Sequence, residues 1–291
     1  MKSIFLKKAF TVIILCFVLL NILGLFLDYR LRESNIFKIN LLFNTKSHEN
    51  IILGASKSLT GINSQLLSEF THEKWYNLSM DDTKAETHIL FLEILNYLKK
   101  APKHILLQYD RENSYSDNVT FFDNDYQLLP FLNKNIIISN YFKPKPNYLV
   151  FKYLPIFKYF YYNTELLFPS LMLFFRPDYT HRFQFNSGDY NYPADFILKD
   201  TCKKLDHNFI ILNNPIIYKF DSICKVNLIK LFLYTAPMYK VQIKTDINRK
   251  DYFDFSNIYA SPSNFSDDIH LAHHTKNDFT TKLSKIFNTT H

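Results

Sequence analysis

Residues 50–61 read Asn50-Ile51-Ile52-Leu53-Gly54-Ala55-Ser56-Lys57-Ser58-Leu59-Thr60-Gly61. The apolar run Ile51-Ile52-Leu53, closed by a glycine, is the signature of a short buried strand. Glycine two positions before Ser56 permits a sharp strand-to-helix turn that presents the serine hydroxyl and its backbone N–H at the sheet edge. Working outward, residues 62–70 follow as a helix, 75–78 as a second strand, and 85–100 as a helix with Leu90, Ile94, Tyr97 and Leu98 at helical spacing. His104–Gln108 is a third strand. Beyond an interruption come a helix at Pro215–Val226, a strand at 229–235 ending on Ala236-Pro237, a last strand at 253–258 and a terminal helix at 271–287. Short apolar strands alternating with amphipathic helices predict an α/β fold with a parallel sheet and helices on both faces.

In such sheets ligands bind beyond the carboxyl ends of the strands, so the residues just after each strand are the informative ones. After the last strand stands Asn264-Phe265-Ser266-Asp267-Asp268-Ile269-His270-Leu271. The three-residue offset from Asp267 to His270 lets a carboxylate hold an imidazole in one tautomer while the other ring nitrogen faces a nucleophile. Taken alone, each end reads as structure before chemistry: a capping serine at Ser56, a capping aspartate and an incidental histidine at the other. Ser58 replaces the second glycine of a Gly-x-Ser-x-Gly elbow, so the α/β-hydrolase signature is not met. His270, His273 and His274 cluster with Asp267 and Asp268, but no His-Glu-x-x-His pattern or distant ligand accompanies them, and no metal or other cofactor is expected.

Together, Gly-x-Ser after the first strand, Asn77-Leu78 at the end of the second, and Asp-x-x-His before the final helix resemble the block order of the SGNH (GDSL-like) hydrolase superfamily. The likeness covers residues 50–110 and 210–287. Residues 51–58 followed by Gly61-Ile62-Asn63 look most like its membrane-anchored, cell-envelope members. The resemblance implies a flavodoxin-like three-layer α/β/α fold and makes Ser56 the nucleophile, His270 the general base and Asp267 the orienting acid. It also implies an esterase or O-acyltransferase acting on an acyl group, acetyl by expectation, of an envelope polysaccharide, often beside a multi-spanning acyl-donor membrane protein. Two positions depart from the family. The second block, Asn77-Leu78-Ser79-Met80-Asp81-Asp82, carries no glycine to add an N–H to the oxyanion hole, and Asp82 sits near that place. Negative charge there would oppose a developing oxyanion. The third block lacks its usual asparagine, leaving Asn77, Arg111 and Asn113 as candidate donors. A catalytically silent glycan-binding or scaffold protein of the same fold is the alternative these departures favour.

The N-terminus sets the compartment. Residues 9–27 run for 19 positions without a charge, about 28 Å of helix and close to a hydrocarbon core of roughly 30 Å. Lys2, Lys7 and Lys8 precede this segment and no acidic residue does, so residues 1–32 read as a cytoplasmic stub and an uncleaved inner-membrane anchor, and 33–291 as one periplasmic domain. No small-x-small cleavage site closes the segment, and Leu15 before Cys16 does not fit a lipoprotein box. With Cys16 in the anchor, Cys202 and Cys224 are too few for a disulfide-built fold and read as buried thiols. The formal charge of +7 comes from 34 basic residues scattered among 27 acidic ones, without the blocks that mark nucleic-acid binders. Phe and Tyr, 29 and 20 of the 291 residues, recur throughout, so single aromatics carry little functional meaning. They crowd an insertion at residues 112–200, where Lys152, Lys158, Glu165, Pro155 and Pro169 break every window long enough to span. Helices packed on the core, or lying on a membrane surface, are expected there.

Overall fold

Ile and Leu runs bounded by polar residues are buried on both sides when they form the centre of a parallel sheet. The computed structural model, which describes residues 2–44, 50–111, 122–178, 187–190, 196–199 and 203–288, follows that rule. Helices α1 (Lys2–Arg32) and α2 (Leu41–Asn44) precede strand β1 (Asn50–Leu53), which leads through α3 (Ser56–Gly61) and α4 (Ser64–Thr71) to β2 (Trp75–Asn77). Then come α5 (Ala85–Tyr97) and β3 (His104–Gln108), followed by α6 (Ile136–Phe142), α7 (Tyr148–Tyr153), α8 (Ile156–Tyr161) and α9 (Phe168–Phe175). The chain ends with β4 (Asp206–Ile210), α10 (Pro215–Val226), β5 (Lys230–Thr235), β6 (Val241–Thr245), β7 (Tyr252–Asp254) and α11 (Lys276–Asn288).

By contacts the chain divides into two compact units, residues 41–124 with 182–291, and residues 1–40 with 125–181. The first holds a five-stranded sheet in the order β2-β1-β3-β5-β7 with every pairing parallel. Counted along the chain these five strands run 2-1-3-4-5, the order of flavodoxin-type doubly wound sheets, with the topological switch at β1 and β3. Register places Ile52 beside Leu106 and Leu106 beside Phe232, and these side chains pack with Leu67 of α4 and with Phe279, Leu283 and Ile286 of α11. Alternation along the strands turns Ile51, Leu53, Ile105 and Leu107 to the opposite face, where α5 and α10 pack together. Helices therefore cover both faces.

Several boundaries shift for local reasons. The helix expected at 62–70 runs from Ser64 to Thr71 and is preceded by α3, because Asn63 leaves helical geometry and caps α4 by accepting the Leu66 N–H at 3.0 Å. The last strand ends at Asp254, whose Oδ1 accepts the Ser256 N–H at 2.8 Å and turns the chain. The terminal helix starts at Lys276 rather than 271, since Leu271 is held in an antiparallel bridge to Phe265 and a 3-10 turn at His273–Thr275 comes before the helix. A second parallel sheet, β4 with β6, was not expected: Asp206-His207-Asn208 carries neither an apolar run nor strict alternation.

In the other unit, α1 is long and apolar enough to cross a membrane. The sequence boundary at residue 32 falls inside this unit. Residues 33–40 stay with α1 because buried Asn40 donates to the carbonyls of Leu31 and Ser34, at 2.7 and 2.8 Å. The elements described in the expected insertion are helices, α6 to α9 with short 3-10 and π turns, all between residues 125 and 175. Cys224 is buried, while Cys202 lies outside the described residues.

Candidate active site

The chain leaves β1 at Leu53 and turns at Gly54, where a Cβ would lie 2.5 Å from the Ser58 Cβ and 2.7 Å from the Gln108 Cβ. Only glycine lets the first and third strand ends approach so closely. Gln108 ties them: its Oε1 accepts the Ser58 N–H at 2.9 Å, and its Nε2 donates to Asp110 Oδ2 at 2.9 Å. That carboxylate also receives the Lys57 ammonium at 2.7 Å, both side chains being nearly buried. Ser58 is fully buried and accepts a hydrogen bond from the Tyr234 hydroxyl at 2.7 Å, so it serves the core. Ser56 remains half-buried at the first residue of α3, where a helix leaves its backbone N–H without an intrahelical partner.

Behind this turn, Thr83 donates to the carbonyls of Gly54 and Met80, and its hydroxyl lies 3.4 Å from Nε2 of His88. Burial pushes the His88 imidazole down to about 3, against the opposing pull of Asp110, so it is neutral at ordinary pH.

His270 reaches the same point from the loop before α11. Its Nε2 lies 2.8 Å from Ser56 Oγ, and its Nδ1 lies 2.8 Å from Asp267 Oδ2 and 3.1 Å from Oδ1. Asp267 Oδ1 also accepts the backbone N–H groups of Ile269 and His270, at 2.9 and 2.8 Å. One carboxylate thus builds the loop and orients the ring. Partial burial would raise the Asp267 carboxyl, but the hydrogen bonds from Ile269 and His270 outweigh it and hold the group below the ordinary carboxylate range. A carboxylate on Nδ1 keeps the proton there and leaves the Nε2 lone pair for the serine hydroxyl. Adjacent Asp268 turns away to Lys203, 3.1 Å distant.

The other expected residues lie elsewhere. Asn77 is fully buried and spends its side chain on local structure, donating to the carbonyls of Ser58 and Leu59 at 3.2 and 3.5 Å and accepting the Ser79 N–H at 3.1 Å. It braces α3 instead of facing a substrate. Asp82 occupies a turn with φ 54° and is exposed. Arg111 is exposed and donates to Asn208 Oδ1 at 3.2 Å. Asn113 lies outside the described residues. Among the described residues no three His, Cys, Asp or Glu side chains converge as metal ligands would.

Lys57, Gln108, Asp110 and Tyr234 were not anticipated as supports of the serine turn. The available signal was the position of Gln108 and Asp110 at the carboxyl end of a central strand, where polar residues gather around sites. Chemically, the arrangement holds a hydroxyl, a base that can take its proton and an acid that fixes the base. Neither protein-family models nor the sequences of curated proteins match this chain.

Proposed function

We propose that the protein is a serine esterase or O-acyltransferase of the SGNH type, moving an acyl group, acetyl by preference, on a cell-envelope polysaccharide. The observation that carries this reading is the hydrogen-bonded relay Ser56 Oγ, His270 Nε2, His270 Nδ1, Asp267, set beyond the carboxyl edge of a flavodoxin-type sheet beside its switch point. In this mechanism Ser56 Oγ attacks the ester carbonyl as its proton passes to His270 Nε2. The tetrahedral oxyanion is met by the Ser56 N–H, and His270 then returns the proton to the departing alkoxide. Water or a sugar hydroxyl, deprotonated by the same nitrogen, attacks the acyl-serine and releases Ser56. The block order of the sequence supports the SGNH assignment, and the lysines before α1 support an inner-membrane location with the sheet unit in the periplasm, beside a membrane-embedded acyl donor.

Full-length protein in detergent should react with a fluorophosphonate at Ser56 and hydrolyse small acetyl esters. Ser56→Ala should abolish both signals, and His270→Ala should slow labelling. Folded wild type that neither labels nor turns over an acyl ester would overturn the enzyme reading. One observation favours a silent, glycan-binding alternative: the buried Asn77 amide nitrogen is turned to the Ser58 and Leu59 carbonyls of α3, so this described residue offers no side-chain donor to an oxyanion. Glycan binding by the same protein without any acyl turnover would establish that alternative.

A further inference from the structure

We infer that the aromatic face of α8 and α9 is seated in the lipid bilayer, so that residues 156–175 form an interfacial collar around the outer end of α1. This rests on the reading of α1 as a membrane span. Three observations on one unit of the fold support it.

The first is the face itself. Phe157, Phe160, Phe168, Leu171, Phe174 and Phe175 are all exposed, the last by 82%. Large apolar side chains concentrated on one surface of a folded unit need a partner of apolar chemistry. The second is its level along α1. The buried stripe Gly24, Leu27, Asp28 and Leu31 faces the packed helices, and a Cβ on Gly24 would stand 2.5 Å from the Ile156 backbone nitrogen. Phe174 meets Phe26 with ring centroids 6.2 Å apart. Gly24 and Phe26 belong to the last turn of the uncharged run that ends at Leu27, within about 5 Å of its end at 1.5 Å per residue. The helices that touch them therefore stand at the boundary between acyl chains and headgroups. The outward side of α1 at this level, Leu23, Leu25 and Phe26, is itself exposed, so the lipid-facing surface of the span continues onto α9.

The third is the way the collar is held. Lys158, fully buried, donates to Asp28 Oδ2 at 2.7 Å and to the Leu129 carbonyl at 3.1 Å, and the Tyr159 hydroxyl donates to Asp28 Oδ1 at 2.7 Å. Arg30 donates to the Leu173 carbonyl at 3.1 Å and lies over the Phe174 ring, 5.6 Å from its centroid. A cation beside aromatic rings at this depth matches the chemistry of an interfacial belt, where the rings meet acyl chains and the charges meet headgroup phosphates. The inner faces of α8 and α9 are thus fixed to the end of the span, and their outer faces are left for lipid.

The test uses full-length protein in vesicles of phosphatidylcholine and phosphatidylglycerol whose acyl chains carry bromine, a contact quencher of tryptophan. Single-tryptophan variants Phe160→Trp, Phe175→Trp and Phe17→Trp are made with Trp75→Phe, or with the Trp75 signal subtracted if that replacement disturbs the fold. Phe160→Trp and Phe175→Trp should be quenched roughly twofold more by bromines near the headgroup than by bromines near the chain ends, and Phe17→Trp in the opposite order. If Phe17→Trp is quenched and the other two are not, the collar is wrong and the span stands. If none is quenched, the span reading falls and the collar with it. Concentration-dependent self-association that shields unquenched Phe160→Trp and Phe175→Trp would assign the face to a second copy and equally overturn the inference.

Discussion

Ser56 stands on a turn whose supports come from far along the chain, Gln108 and Asp110 at the end of β3 and Tyr234 at the end of β5, all buried, with neighbouring Lys57 folded back against Asp110. His270 stands on a loop whose main support lies three residues away, with the Asp267 carboxylate exposed over half its surface. The nucleophile is positioned by tertiary structure and the base by a local turn. Damage to the first region should therefore register as lost stability, and damage to the second as lost chemistry in a folded protein.

The sharpest break is Asp267→Asn. An asparagine Oδ1 can still accept the Ile269 and His270 N–H groups, so the loop persists. Its amide then faces Nδ1 as a donor and favours the tautomer that cannot accept the serine proton. Fluorophosphonate labelling should fall by about 10⁴-fold, the scale set when a catalytic aspartate is so replaced, with the thermal midpoint nearly unchanged. Asp268→Asn should leave the rate intact, because Asp268 pairs with Lys203. Equal losses from the two variants would erase the local character claimed for this loop.

Asp110→Ala is the counterpart on the nucleophile side. It strands the buried Lys57 ammonium and frees Gln108, and losing one partner of a buried pair costs about 3 kcal/mol or more. Chemical denaturation of the detergent-solubilised protein should show that loss. Unchanged stability would mean that the long-range frame is not what holds Ser56.

His88 gives the two regions different responses to acid. Its folded-state value near 3 lies below the ordinary value of 6.5, so the unfolded chain takes up the proton first, and stability declines as pH drops from about 6.5 towards 3. Near pH 5 the loss amounts to about 2 kcal/mol relative to neutral pH. Thermal midpoints compared at the two pH values should fall more in wild type than in His88→Phe. The same acid response in both would free the turn of this titration.

The smallest effect belongs to the base loop. Because the folded Asp267 carboxyl is depressed, its contribution is present above the ordinary carboxylate value near 4 and disappears as pH falls through the lower folded one. Screening at a half-exposed site keeps that contribution small. The midpoint difference between wild type and Asp267→Asn should shrink below about pH 4, as the carboxylate takes up its proton. A difference that does not change there would mean that the loop does not depend on the charge of Asp267.

How legible each part was follows from the range of the forces involved. The apolar runs at β1, β3 and β5 were readable because the middle of a strand buried on both faces is nearly continuously apolar. Strand β4 was not, because Asp206-His207-Asn208 pairs through its backbone while its side chains stay largely exposed. Asp267 and His270 were readable as a pair since a three-residue turn brings them together in any context. The choice of Asn77 as a donor missed because its burial against α3 depends on the packing of β2 beside β1.

By itself, then, the sequence determined what local pattern and composition control: an α/β chain with a parallel sheet, a long uncharged N-terminal segment, a glycine-opened turn at Ser56 and the Asp267–His270 offset. Tertiary structure alone decided that a serine and a histidine separated by more than two hundred residues stand 2.8 Å apart, and that Asn77 braces a helix. It also decided that Asp28, near the end of the apolar segment, meets Lys158 and Tyr159 in a buried cluster. The physical reason is one of distance along the chain. Propensity and spacing act over a few residues, whereas the pairing of remote groups is settled only when apolar burial brings the elements together and every enclosed polar group must find a partner.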